Sequence, residues 1–179
     1  MDITNFTALH DAMEAHFKKA MPMLRTVDAY RDSPTDKIPT PALLVGVEEM
    51  EQGKKVTGGR LAMDCTFSAY CLLSSQTVRA ETEIRNMAAM VALKLEGERF
   101  GLGEAVGRPS NVSCVPGIFQ NDQPGLECWI VSWEQTIHLG TEWQPEGIDA
   151  DGYWLAGCHD ELHKLADFPP PPPAPEAPQ

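Results

Sequence analysis

No apolar run in these 179 residues approaches the ~18–20 residues that a membrane-spanning helix needs. The first residues, MDITNFTALHDAMEAHF, lack the basic start and apolar block of a secretory signal. The chain is therefore expected to be made and used in a reducing cytosol. Basic residues are few: 14 Lys and Arg stand against 26 Asp and Glu, a formal net charge of −12. That balance argues against a surface dedicated to phosphate contacts, because nucleic-acid binders carry a basic footprint. Cysteine is sparse. Cys65, Cys71, Cys114, Cys128 and Cys158 form an odd set without a CxxC pair, expected as reduced thiols packed as small hydrophobes. Nucleophile signatures are missing too. There is no GxSxG, and neither Cys114 nor Cys128 has a sequence context that ties it to His138. GLGEAVG, at 101–107, lacks the Lys-Ser/Thr of a phosphate loop. Asn111-Val112-Ser113 matches a glycosylation sequon, which carries no weight without a signal peptide.

What is present is a set of well-marked periodic segments. With 42% hydrophobic residues the chain can build a core. Ile3, Phe6, Leu9, Met13, Phe17 and Met21 recur every three or four positions and predict a helix over 3–21, with Glu14 and Lys18 spaced to pair and Pro22 ending it. A short strand is expected at 24–30, then a proline-rich loop, then a strand at 42–51. QGKKVTGG is a flexible link. After it Leu61, Met63, Cys65, Phe67, Ala69, Cys71 and Leu73 alternate with Asp64, Thr66, Ser68 and Tyr70, so the first set is expected toward a core and the second toward solvent or a partner. The two strands flanking the link predict an antiparallel hairpin.

Helical spacing returns at 79–96, where Ile84, Met87, Ala88, Val91 and Leu95 share a face. Ser75 or Thr77 is the expected cap and Gly97 the expected stop. A Gly- and Pro-rich stretch with one short strand in NVSCV leads to a last core strand at about 126–139. Both faces of that strand carry apolar residues. One face is expected against the helices; the other needs a cover, from the 141–168 extension or from a neighbouring subunit. Tyr70, Trp129, Trp133, Trp143 and Trp154 are large amphipathic side chains of the kind that serve cores and interfaces alike.

Beyond Gly140 the composition changes. Residues 141–179 hold eight acidic side chains against Lys164 alone, more than half of the chain's excess negative charge. WLAGCHDELHKLADF predicts a short helix. PPPPPAPEAPQ predicts a solvated polyproline-type tail. The expected organisation is a domain at 1–140, an extension at 141–168 and a flexible tail at 169–179. Within the extension, Cys158, His159 and His163 are the best metal-ligand candidates, but no second cluster completes a tetrahedral set, so no metal site is assigned. Glu48, Glu49 and Glu51 form an acidic run near a strand end; paired carboxylates serve acid–base chemistry, but a solvated strand end accounts for them.

The order of elements resembles that of a known family. A helix and a proline-rich loop lead into PALLVGVEEMEQ, and a Gly-rich link into GRLAMDCTFSAYCLLS. The helix AETEIRNMAAMVALKLEG and an irregular stretch precede GLECWIVSWEQTIHL. Over about residues 3–140 this is similar to the tail terminator proteins of long-tailed bacteriophages, of the lambda and Mu-like types. The resemblance implies an α+β fold, an α/β sandwich with a mixed, mainly antiparallel sheet and helices packed on it. It implies a virion structural protein, neither enzyme nor cofactor binder, that forms a hexameric ring at the tube-to-neck junction. That ring would stop polymerisation of the tail tube protein, present a surface to the head-side connector, and let genomic DNA pass without specific binding. Assembly would take place in the bacterial host cytoplasm, away from membranes. The family has no invariant catalytic motif, and the extension and proline tail depart from its short members. Lys54 and Lys55, at the tip of the long hairpin, are the expected polar contacts to a neighbouring ring, with Trp143 and Trp154 as further interface candidates. A neck or head–tail joining protein, or a minor tail-completion protein, is the alternative within virion assembly. A cytosolic thiol or metal-binding enzyme is the more remote one.

Overall fold

The computed structural model describes residues 2–30, 37–55, 58–119 and 125–142, together with the backbone of 154–156 and 162–164. Helix α1 spans Phe6–Ala20. Asn5 caps it: its side-chain oxygen accepts the Ala8 N–H at 3.1 Å, satisfying one of the free donors of the first turn. Lys18 and Lys19 sit in the last turn, where the helix dipole favours cations, and Lys18 pairs with Glu14. Leu9, Met13 and Phe17 are fully buried. Ile3 is buried as well, but ahead of the cap; it bridges to Leu139, the last residue of the last sheet strand, and to Gly140 after it. The helical period therefore extends one step too far at its start, because a buried extended residue falls by coincidence in phase with the helix.

Strand β1 is Thr26–Ala29, β2 is Ala42–Gln52, β3 is Leu61–Ser74, helix α2 is Ala80–Leu95, β4 is Ser110–Pro116 and β5 is Leu126–Leu139. The sheet order is β1-β2-β3-β5-β4. The β1–β2 pair is parallel and all the others antiparallel, so the chain has a mixed five-stranded sheet with two helices, an α+β fold. A crossover is unavoidable because β3 and β5 are neighbours while α2 and β4 lie between them in sequence. β2 and β3 form the expected hairpin, with a bulge between Val47 and Glu49.

Helix α2 begins differently from the expectation. Neither Ser75 nor Thr77 caps it through a side chain. The chain enters through Arg79 in the left-handed region, at φ 58°, and Thr77 offers only its backbone carbonyl, to the Ala80 N–H. Gly97, at φ 68°, ends the helix as anticipated.

The main core lies between the helices and one face of the sheet. Leu9, Met13, Phe17, Ile84, Val91 and Leu95 meet Phe67, Ala69, Cys71, Val131, Trp133 and Ile137. Phe67 and Trp133 stack with centroids 5.4 Å apart. Each Leu, Ile, Val, Met or Phe among them, fully buried, contributes about 1.5–3 kcal/mol of transfer free energy. Leu61 breaks the alternation of β3; it sits at the end of the ladder and is 46% exposed.

The described residues fall into two units, 1–143 and 144–179. In the second, Trp154–Ala156 (β6) and Leu162–Lys164 (β7) form an antiparallel pair in which Trp154 opposes Lys164. A helix was expected there and is corrected to strand. The stretch Gly157-Cys158-His159-Asp160 is composed of weak helix formers, which removes the propensity a helix across 154–168 would need.

Candidate assembly surface

The second face of the sheet has no helix on it among the described residues. Its composition follows from the alternation of β2, β3 and β5, and it divides into two regions.

One region is apolar. Ile38, Ala42, Leu44, Leu72 and Cys128 are buried together, and Tyr30, Tyr70, Phe119 and Ile130 pack around them. Tyr30 and Tyr70 stack at 4.3 Å, nearly parallel, and Phe119 meets Tyr30 edge-on. The Tyr70 hydroxyl donates to Glu48 at 3.0 Å, and burial together with that carboxylate pushes the phenol's pKa upward. At the margin Val115 is 47% exposed and Ile118 85% exposed. Gly117 is required here: a Cβ would come within 2.5 Å of Ile130 Cγ1.

The other region is acidic. Cross-strand register sets Glu51, Asp64 and Thr136 in one row, and Glu49, Thr66, Glu134 and Ser110 in the next. With Arg108 they line a trough of about 490 Å³. The Thr136 hydroxyl donates to Asp64 at 2.5 Å, and Asn111 Nδ2 donates to Glu134 at 2.7 Å. The Asn111 amide, the asparagine of the sequon, is thereby engaged. Between the two regions Ser68 and Ser132 face each other at 3.2 Å.

Lys54 and Lys55 are exposed at the end of the hairpin. The hairpin is not a free arm. β3 pairs with β5 along its whole length, from Leu61 opposite Leu139 to Ser74 opposite Leu126. β1 accompanies β2 from Ala42 to Val45, and no described strand pairs with the outer side of β2 beyond that point. Trp143 lies outside the described residues. Trp154 stands in β6, and its side chain is likewise outside them. Trp133 belongs to the main core, and Trp129 carries the Arg85 guanidinium 5.8 Å above its ring.

The described thiols are placed for packing. Burial pushes Cys65 and Cys128 up to about 11, Asp64 adding to the effect at Cys65, and burial also raises Cys71 and Cys114. A thiol so displaced is protonated at neutral pH and a poor nucleophile. His138 is remote from both thiols weighed with it. It stands ten residues along β5 from Cys128, about 33 Å at the rise of a strand, and its Nδ1 lies 3.0 Å from the Glu104 carbonyl. Cys114 pairs with Val131, seven residues from His138, about 23 Å on the same measure. Of the metal candidates, His163 is in β7 opposite Leu155, so the helical spacing to His159 does not apply; Cys158 and His159 lie outside the described residues. GLGEAVG forms a 3-10 turn over Gly103–Ala105 rather than a strand-to-helix loop.

The sequence marks most of the acidic row, since Asp64, Thr66, Glu134 and Thr136 fall on the outward alternation and Glu49 and Glu51 in the acidic run. It does not mark Arg108 or the convergence of four strands. That convergence depends on a register set partly by the bulge between Val47 and Glu49.

No family model matches the chain, and no curated protein matches it. A solved structure whose name carries no functional description aligns with a TM-score of 0.43 and 16% identity, covering 76% of this chain and 97% of that one.

Proposed function

We propose that this chain is a virion structural protein of the tail terminator type. It acts by binding. Copies assemble into a ring, a hexamer by the family resemblance, on the end of the tail tube; the ring stops addition of tube subunits and offers its far side to the head connector. The observation that carries this reading is the sheet face on which, among the described residues, no helix packs and an aromatic and aliphatic region adjoins an acidic trough. Such a face suits contact with other subunits, through the exposed Val115 and Ile118 at the margin of the apolar half and through charge in the other. The acidic trough suits a ring through which DNA slides, since carboxylates repel phosphates over about 8–10 Å at physiological salt. The raised thiols favour this reading over a thiol enzyme.

Electron microscopy of particles assembled without the protein tests it. Tubes of irregular excess length, free of heads, are the expected result. Tails of normal length that fail to join heads would move the protein to the neck. Intact infectious particles would remove it from virion assembly altogether.

A further inference from the structure

Helix α2 and the edge strand β4 leave an apolar groove between them. It has a volume of about 560 Å³ and is lined by Ala89, Ala92 and Leu93 of the helix and by Pro109 and Val112 at the entry to the strand. Leu93 is 68% exposed and Val112 41% exposed. Glu96 is the charged residue of the lining. It stands at the C-terminal end of α2, where the helix dipole already favours a cation. Both walls, and all the chain that joins them, are described.

The opposite edge of the sheet carries a matching projection. α1 packs over β1, and α2 over β5 and β4. The turn from α1 to β1 is closed by the Leu24 N–H, which donates to the Met21 carbonyl at 3.1 Å. In that turn Met23 is 47% exposed, and the exposed cations Lys19 and Arg25 flank it in sequence. Among the described residues no ion pair engages Lys19, Arg25 or Glu96. We propose that the Met23 turn of one copy seats in the α2–β4 groove of the next, with Met23 against Leu93 and Val112 and the cations against Glu96. The contact rests on the ring reading and supplies the joint between its subunits.

Charge and position select this pairing over the other exposed apolar side chains. Met50 stands between Glu49 and Glu51, which Glu96 repels. Leu61 follows Arg60, whose guanidinium is held by Asp2 and Glu142. Val78 lies at the entry to α2, and Val115 and Ile118 lie at the β4 edge, the side that carries the groove. Met23 combines an apolar tip, unpaired cations and the far edge of the sheet. A flexible thioether also adapts to an irregular groove. Because turn and groove are different surfaces, the contact is head-to-tail, the kind that builds rings when its rotation closes. In register, Thr26 is level with Cys128, and Ser110 with Glu134. The two surfaces are thus about 20 Å apart along the strands and about 19 Å across them. A ring joined this way carries its strands oblique to the ring plane.

Sedimentation of the full chain over a concentration series tests the contact without tubes or particles. A species larger than a dimer is expected, since each copy offers one turn and one groove. Met23→Asp and Leu93→Asp alter exposed side chains, and both are expected to keep the parental circular dichroism. Each is expected to weaken assembly about tenfold or more. Mixed, the two variants supply one intact turn and one intact groove, and are expected to form a heterodimer that grows no further. Glu96→Lys is expected to weaken assembly about threefold or more, and its combination with Lys19→Glu and Arg25→Glu to restore it. A chain that stays monomeric into the high micromolar range overturns the proposal. So does an assembly indifferent to both aspartates, or a mixture of the two variants that stays monomeric. Each of these outcomes is separate from tube length in particles lacking the protein, which tests the tail-end reading by itself.

Discussion

At the scale of single residues, the chemistry of this chain is decided by burial. Cys65 and Cys128 are carried from an ordinary thiol value of 9.0 to about 11 because the interior disfavours a thiolate. The consequence is a linkage. The unfolded chain ionises these thiols near pH 9 while the folded chain keeps them protonated, so their contribution is complete below pH 9 and is lost as pH rises toward 11. Urea midpoints are expected to fall across that window, and to fall less steeply in the Cys65→Ala, Cys128→Ala double variant. A flat profile would mean that these thiols are solvated. Gln135 makes a different point. It is buried, donates to the carbonyls of Glu98 at 3.0 Å and Gly107 at 2.8 Å, and accepts the Trp133 indole N–H at 3.1 Å. The alternation of β5 puts it on the core face, yet a polar residue there has no readable meaning in sequence. Its backbone partners lie 37 and 28 residues away.

At the scale of elements, hydrophobic period located helices and strands well, whereas the entry to α2 was hidden. Arg79 takes a left-handed conformation at φ 58° without capping the helix. An L-residue with a Cβ pays roughly 1–2 kcal/mol there, and glycine does not. Arg79→Gly is therefore expected to raise stability by about 0.5–1 kcal/mol, read as a higher urea midpoint with unchanged slope. A loss of stability would show that the Arg79 side chain contributes more than its backbone costs. The 154–168 segment erred in the other direction. Its leucines fall at helical intervals, but weak helix formers separate them and the observed pair is β6–β7.

At the scale of the whole molecule, the sheet presents two unlike faces. One is closed by α1 and α2; the other carries a second, smaller buried apolar cluster, with Val115 and Ile118 exposed at its margin, beside an acidic trough. On the tail-terminator reading, the lysines at the hairpin end contact the tube or a neighbouring ring. The pair Lys54→Glu, Lys55→Glu is then expected to leave thermal unfolding within about 0.5 kcal/mol of the parent, as for ordinary surface changes. The same pair is expected to lengthen tubes assembled in its presence. Tubes of normal length would take the hairpin tip out of the mechanism.

The sequence by itself determined the number and kind of core elements in 1–140, the hairpin and the helix between two β units. These follow from local spacing, which needs no knowledge of what lies across the sheet. It also determined the alternation that separates Asp64, Thr66 and Tyr70 from the core. Only the tertiary structure decided that β5 inserts between β3 and β4, that Glu49, Glu51, Asp64 and Glu134 converge with Arg108, and that β1 accompanies β2 only from Ala42 to Val45. Each of these depends on which strands pair and in what register. Pairing is a contest among distant segments, and backbone hydrogen bonds, the same for nearly every residue, leave little trace of it in the sequence.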